Sequence, residues 1–315
     1  MDLRFHWAER LSEDSTEGKS TMKKLKKGYE HRRKIPEMSK IGYQHLKAGR
    51  FNEAEAEFTK ILELAKKDIY ALVGLGDLYL AQREFEKALD CYNRALQVDP
   101  VNMFALRGLA DTYRGLKKFD KVIEFWERYL SYTGNEFDVV ALTRLGDTYR
   151  KTGQFEKAID QYEAALSIDS KNPYALAGLG HLYFEKRNYR QSLSYWHQLI
   201  EIQNDNIVVL TSTGNCYRKL KEYKEALKFF YMALNKEKDD FFALYGIADS
   251  YRGLKEYDKA TEYWQKIQKQ DPTNKNILTR LGDSYRNLGN IEKAEHYYKK
   301  AIENELDDEK KSPEK

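Results

Sequence analysis

The chain has 315 residues, with 54 Lys and Arg against 50 Asp and Glu and a net charge of +4. That near-balance excludes the strong basic excess on which non-specific nucleic-acid binding rests, and two cysteines set far apart, Cys91 and Cys216, exclude a disulfide framework. Pro is scarce (5), Gly modest (18) and Tyr abundant (24), a composition that suits a helical protein with much exposed surface.

The N-terminus, Met1-Asp2-Leu3-Arg4-Phe5-His6-Trp7, lacks the apolar centre of a signal peptide, and no stretch of the chain could span a bilayer. The expectation is a soluble, cytoplasmic protein. Residues 1–34 read as a basic, partly disordered segment, polar and mobile over Ser12–Thr21. Lys23, Lys24, Lys26 and Lys27, followed by Arg32, Arg33 and Lys34, form a basic run. Such a run is either a solvated capping helix or tail, or a contact for an acidic surface or nucleic acid.

Beyond this segment the sequence is periodic. Gly-Asp-x-Tyr or a close variant recurs at Gly76, Ala110, Gly146, Gly180, Gly214, Ala248 and Gly282, in steps of 34, 36, 34, 34, 34 and 34 residues, and the register reaches back to Gly42. Eight repeats follow: 35–68, 69–102, 103–138, 139–172, 173–206, 207–240, 241–274 and 275–308. The two extra residues of repeat three fall near Ser131–Asp138, where a loop can absorb them, and 309–315 is a charged tail that solvates the last hairpin.

Each repeat predicts two helices. Position 4 is Met38 in the first repeat and Leu in all others, position 8 is Gly or Ala, and position 11 is Tyr except for His45. Position 20 is small except for Val122, and position 24 is always aromatic: Phe58, Tyr92, Trp126, Tyr162, Trp196, Phe230, Trp264 and Tyr298. Positions 4, 7, 8 and 11 share one helical face, and 20, 24 and 27 another. Small residues at 8 and 20 let the two backbones approach while the aromatics fill the space beside them. Position 34 is Asn or Asp throughout, an N-cap for the next helix. Asp99-Pro100 and Asp271-Pro272 stop the preceding helix at the same place.

A second period lies within the first. Trp occupies position 24 in repeats three, five and seven, and Ala occupies position 27 in every even repeat. Repeats three and seven share Phe-Ala-Leu-x-Gly, and repeats four and eight share Leu-Thr-Arg-Leu-Gly-Asp, so the array reads as a duplicated block of four.

This pattern resembles the tetratricopeptide repeat family over residues 35–308. The resemblance implies an all-α fold, a right-handed superhelical solenoid of tandem helical hairpins whose first helices line a groove through positions 2, 5, 9 and 12. The candidate peptide-binding residues on that reading are Asp111, Arg114, Asp147, Arg150, Tyr174, His181, Phe184, Asn215, Arg218, Tyr245, Asp249, Arg252, Asp283 and Arg286. Asp at position 9 and Arg at position 12 stand three apart and can pair along one helix. They form either a self-satisfied ladder that holds the helices in register, or charged forks offered to a ligand, and the two are compatible. Some relatives clamp a terminal carboxylate with Lys and Asn in the first repeat. Ser39 and Tyr43 stand at those positions here, so that clamp is absent.

Other signals dissolve into the repeat. Gly74-Leu75-Gly76 and Gly178-Leu179-Gly180 fall inside predicted helices rather than in a phosphate loop. The six histidines have no metal-ligand spacing, and no nucleophile stands beside a base. No catalytic residue, metal or cofactor is expected. The expected partner of the array is a protein or peptide rather than nucleic acid, held by a non-enzymatic scaffold or adaptor. The alternative is an accessory subunit of an enzyme or nucleic-acid assembly, acting through outer helices and the basic segment.

Overall fold

The computed structural model describes residues 34–132 and 134–311, with side chains through residue 304. The expectations for residues 1–33 and for 312–315 lie outside the described residues. The chain divides at Gly153/Gln154 into two compact units, and among the described residues every regular element is helical.

The N-terminal unit contains a helix over 34–47 (α1), Phe51–Leu64 (α2), Ile69–Ala81 (α3), Phe85–Val98 (α4), Met103–Gly115 (α5), Phe119–Leu130 (α6) and Val139–Lys151 (α7). The C-terminal unit contains Phe155–Ile168 (α8), Pro173–Glu185 (α9), Tyr189–Ile202 (α10), Ile207–Lys219 (α11), Tyr223–Lys236 (α12), Phe241–Gly253 (α13), Tyr257–Gln270 (α14), Lys275–Asn287 (α15) and Ile291–Lys311 (α16). Within each unit, consecutive helices pack together as hairpins, and first helices of neighbouring repeats touch, α3 against α5 and α11 against α13. This is the all-α solenoid architecture.

Local sequence starts and stops each helix. Position 34 caps every following first helix from α3 onward: Asp68 accepts from the Ala71 amide at 2.9 Å, Asn102 from Ala105 at 3.0 Å and Asp240 from Ala243 at 2.7 Å. The turn inside each hairpin needs one left-handed residue at position 15. Gly49, Gly153 and Gly289 supply it at φ 69°, 76° and 77°, but Arg83, Lys117, Arg187, Lys221 and Lys255 adopt it with a side chain, at φ 57–63°. The two extra residues of repeat three lie in the connection from α6 to α7, where Gly134 precedes a 3₁₀ turn at Asn135–Phe137.

The position-24 aromatics form the core and are essentially fully buried from Phe58 through Trp264. Three of these rings are held by glycines from two sides. A Cβ added at Gly76, position 8 of the same repeat, would stand 2.5 Å from the Tyr92 ring, and one added at Gly108, position 6 of the next repeat, would also collide with it. Phe58 meets Gly42 and Gly74 in the same way, and Phe230 meets Gly214 and Gly246. Position 11 is used differently: its tyrosine stacks on the aromatic at position 23, as in Tyr113–Phe125 at 5.5 Å, Tyr217–Phe229 at 5.5 Å and Tyr285–Tyr297 at 5.5 Å.

Candidate functional site

The first helices present a row of apolar side chains that the core does not use. Position 2 carries Tyr70, Phe104 and Val140 in the N-terminal unit and Tyr174, Val208 and Phe242 in the C-terminal unit, all 48–75% exposed. Of these, the sequence candidates include Tyr174 and leave out the other five. The signal was available: position 2 lies off the face shared by positions 4, 8 and 11, yet six consecutive repeats keep an apolar residue there. Position 5 contributes less than its polarity implies, because the Thr143, Thr211 and Thr279 hydroxyls donate to the carbonyls of Val139, Ile207 and Lys275 in their own helices at 2.8–2.9 Å.

Positions 9 and 12 of the same helices carry charges. Along single helices, Arg114 pairs with Asp111 at 3.2 Å, Arg150 with Asp147 at 3.9 Å and Arg286 with Asp283 at 3.3 Å. Other bonds cross between repeats. Arg144 on α7 pairs with Asp111 on α5, and Arg218 on α11 pairs with Asp249 on α13. Arg218 also donates to Asn215 Oδ1 at 3.0 and 3.2 Å, while Arg252 approaches Asp249 from its own helix at 2.5 Å. Burial alone would push the Asp249 carboxyl up, but the hydrogen bonds and charges of Arg252 and Arg218 outweigh it and hold the group below its ordinary value.

Repeat five interrupts the ladder with rings. His181 meets Trp196 edge-on at 4.8 Å, Phe184 packs on Tyr189 at 5.3 Å, and Tyr174 stands out in solvent. In repeat seven, Tyr245 meets Trp264 edge-on at 4.8 Å. Next to it, Phe241, Tyr245, Asn274, Ile277 and Arg280 line a cavity of about 530 Å³.

A second cavity of about 530 Å³ lies in the N-terminal unit, between α1, α3 and α5. Its walls are Tyr43, Ile69, Tyr70, Val73 and Phe104, and its charged lining residues are Asp77 and Asp99. Asp77 occupies position 9 of repeat two, where position 12 is Leu80 rather than Arg. Burial pushes its carboxyl up, the Tyr92 hydroxyl and the field of Arg107 offset this only in part, and the net result is a value of about 6. The Arg107 guanidinium itself lies 4.0 Å from Asp138.

Stacked hairpins with a capped 34-residue period and an apolar and charged first-helix face define a helical-repeat protein. The chain is a tetratricopeptide-repeat protein: models of the tetratricopeptide repeat match residues 69–102, 242–274 and 276–307, and a TPR repeat model matches 146–186. Solved structures share the fold. A tetratricopeptide repeat protein from Parabacteroides merdae aligns with a TM-score of 0.59 at 17% identity, over 80% of this chain and 99% of that one. The crystal structure of MamA protein aligns at 0.52 and 22% identity, over 56% and 97%, and MamA from Desulfovibrio magneticus at 0.52 and 18%, over 54% and 96%. No curated protein matches the chain in sequence.

Proposed function

We propose that this chain is a non-enzymatic scaffold that holds an extended segment of a partner protein against its first-helix faces, the position-2 row giving apolar purchase and the Asp and Arg residues at positions 9 and 12 setting register. The observation that carries this reading is the row itself. A folded core gains nothing from six exposed apolar side chains at one position, whereas a binding face does. The ladder adds charged groups whose exposed members, such as Arg114 and Arg286, can form forked bonds with a bound chain. Both cysteines are buried and unpaired, which agrees with a reducing, cytoplasmic setting. No helix among the described residues is long and apolar enough to cross a membrane.

The test is affinity capture with mass spectrometry from the source cell, comparing the wild type with Tyr174→Ser, Val208→Ser and Phe242→Ser combined. These side chains are exposed, so the variant should fold with an unchanged helical circular dichroism spectrum. Loss of the captured partner supports the reading. An undiminished partner set that disappears on removal of residues 1–34 would transfer the binding surface to the basic segment.

A further inference from the structure

Five repeats carry aspartate at position 9, and four of them carry arginine at position 12: Asp111 with Arg114, Asp147 with Arg150, Asp249 with Arg252 and Asp283 with Arg286. Asp77 has Leu80 there instead. Its Oδ1 accepts the Tyr92 hydroxyl at 2.7 Å, and among the described residues no donor bonds to its Oδ2. The carboxylate therefore borders the aromatic cavity without the position-12 arginine that its counterparts have. The charged lining of that cavity is wholly acidic, Asp77 and Asp99, so it complements a positive group. Asp99 is already committed: its oxygens accept from the Val101 amide at 3.2 Å and from the Asn102 side chain at 3.3 Å.

We propose that this cavity takes the ammonium group of a lysine side chain from the partner segment, with Asp77 as counter-ion and Tyr43, Tyr70 and Phe104 as walls. The inference rests on the scaffold reading above and supplies one of its contacts. The rings hold the aliphatic stem and present π-faces to the charge. Lysine fits better than arginine for a geometric reason. A guanidinium fork needs both oxygens of a carboxylate in its plane, and the Tyr92 hydroxyl already takes one lone pair of Oδ1, whereas a compact ammonium needs only the open Oδ2. The raised affinity of Asp77 for a proton, caused by its burial, agrees with a site that favours an incoming positive group.

The probe is n-butylammonium, titrated into the full chain labelled at Ile and Val methyls, with the Ile69 and Val73 signals followed by NMR. Saturable shifts are expected, weakened at least about tenfold in Asp77→Asn and absent with 1-butanol, the size expected for a bond to a charged group. Leu80→Arg, which restores the missing cation, should abolish the shifts while leaving Asp77 in place and the fold intact. A second arm uses the capped tripeptide acetyl-Leu-Lys-Leu-amide, which should bind at least about tenfold more tightly than the free amine. Equal affinity of peptide and amine would overturn the assignment to a partner's lysine, and tighter binding of n-butylguanidinium would overturn the choice of lysine. Shifts that are missing, or indifferent to Asp77→Asn and Leu80→Arg, would remove the site altogether. The scaffold reading would survive that loss wherever partner capture still depends on Tyr174, Val208 and Phe242.

Discussion

The Tyr92 hydroxyl donates to Asp77 Oδ1 at 2.7 Å, joining the core aromatic of repeat two to the carboxylate on its first helix. Tyr298 and Asp283 repeat the bond at 2.9 Å, but there Arg286 stands 3.3 Å from the same oxygen. Burial favours the protonated form of Asp77, the Tyr92 hydroxyl and the field of Arg107 offset it only in part, and its value rises from 3.8 to about 6.

The sign of the resulting pH dependence follows from proton counting. The folded chain holds the Asp77 proton up to about pH 6, while the unfolded chain releases it near 3.8. Across that window the native state binds more protons, so stability falls as pH rises, and the whole penalty is present at neutral pH. Asp77→Asn removes the charge and retains an oxygen for Tyr92. It should stabilise the N-terminal unit by roughly 1–3 kcal/mol at pH 7.5 and give no gain at about pH 4. The neighbours Tyr92, Arg107 and Asp111 are present in both proteins and enter the difference through their effect on the Asp77 charge. Urea unfolding at the two pH values measures it, and an equal difference at both would exclude Asp77 as the titrating group.

Ser192 shows what the other tryptophan repeats lack. Its hydroxyl donates to Gly180 O at 2.7 Å, accepts the Trp196 indole N–H at 3.0 Å and lies 3.2 Å from Cys216 Sγ. The matching position in repeat seven is Ala260, and there both the Trp264 indole nitrogen and the Ser284 hydroxyl are buried without a partner. Ala260→Ser should satisfy the two together and raise stability by about 1–2 kcal/mol, whereas Ser192→Ala should cost about 1–3 kcal/mol. Urea titration followed by tryptophan fluorescence reads both. Destabilisation by Ala260→Ser would mean that the hydroxyl cannot be accommodated beside the indole.

Lys221 holds φ at 62° in the turn between α11 and α12. A side chain is disfavoured there, while the glycine at the same position of repeats one, four and eight adopts it freely. Lys221→Gly should therefore be stabilising by about 0.5–1 kcal/mol after the greater unfolded-state entropy of glycine is deducted. A loss of stability would show that the lysine makes a compensating contact.

These features also mark where sequence reading stops. Size constraints at positions 4, 8, 20 and 24 are legible because burial fixes them repeat after repeat. The glycine at position 6 is not, because the ring it accommodates belongs to the preceding repeat: Gly74 faces Phe58, and Gly178 faces Tyr162. A mid-helix glycine costs about 1 kcal/mol against alanine, and that unexplained cost was the available hint. The ladder was legible along each helix, as in Asp283–Arg286, but the Arg144–Asp111 and Arg218–Asp249 bonds join residues more than thirty positions apart and need the fold. The Asp77 cavity was hidden for the opposite reason. Its mark is an arginine that is missing.

The ladder divides into two kinds of charge, and substitution should separate them. Arg218 and Asp249 are largely buried, and Asp249 is held between Arg218 from α11 and Arg252 of its own helix. Removing Arg218 leaves part of a desolvated carboxylate uncompensated, so Arg218→Ala should destabilise the C-terminal unit by about 2–4 kcal/mol. Arg286 is mostly exposed and pairs along its own helix, a geometry worth well under about 1 kcal/mol, so Arg286→Ala should leave urea unfolding nearly unchanged. Its influence should appear instead in binding. For a partner held against the first-helix face, Arg286→Ala should flatten the salt dependence of affinity, whereas Phe242→Ser should weaken binding at every salt concentration alike. Measuring affinity for the captured partner between low and high salt distinguishes the two. A salt response unchanged by Arg286→Ala and by the equally accessible Arg114→Ala would confine the whole ladder to holding helices in register.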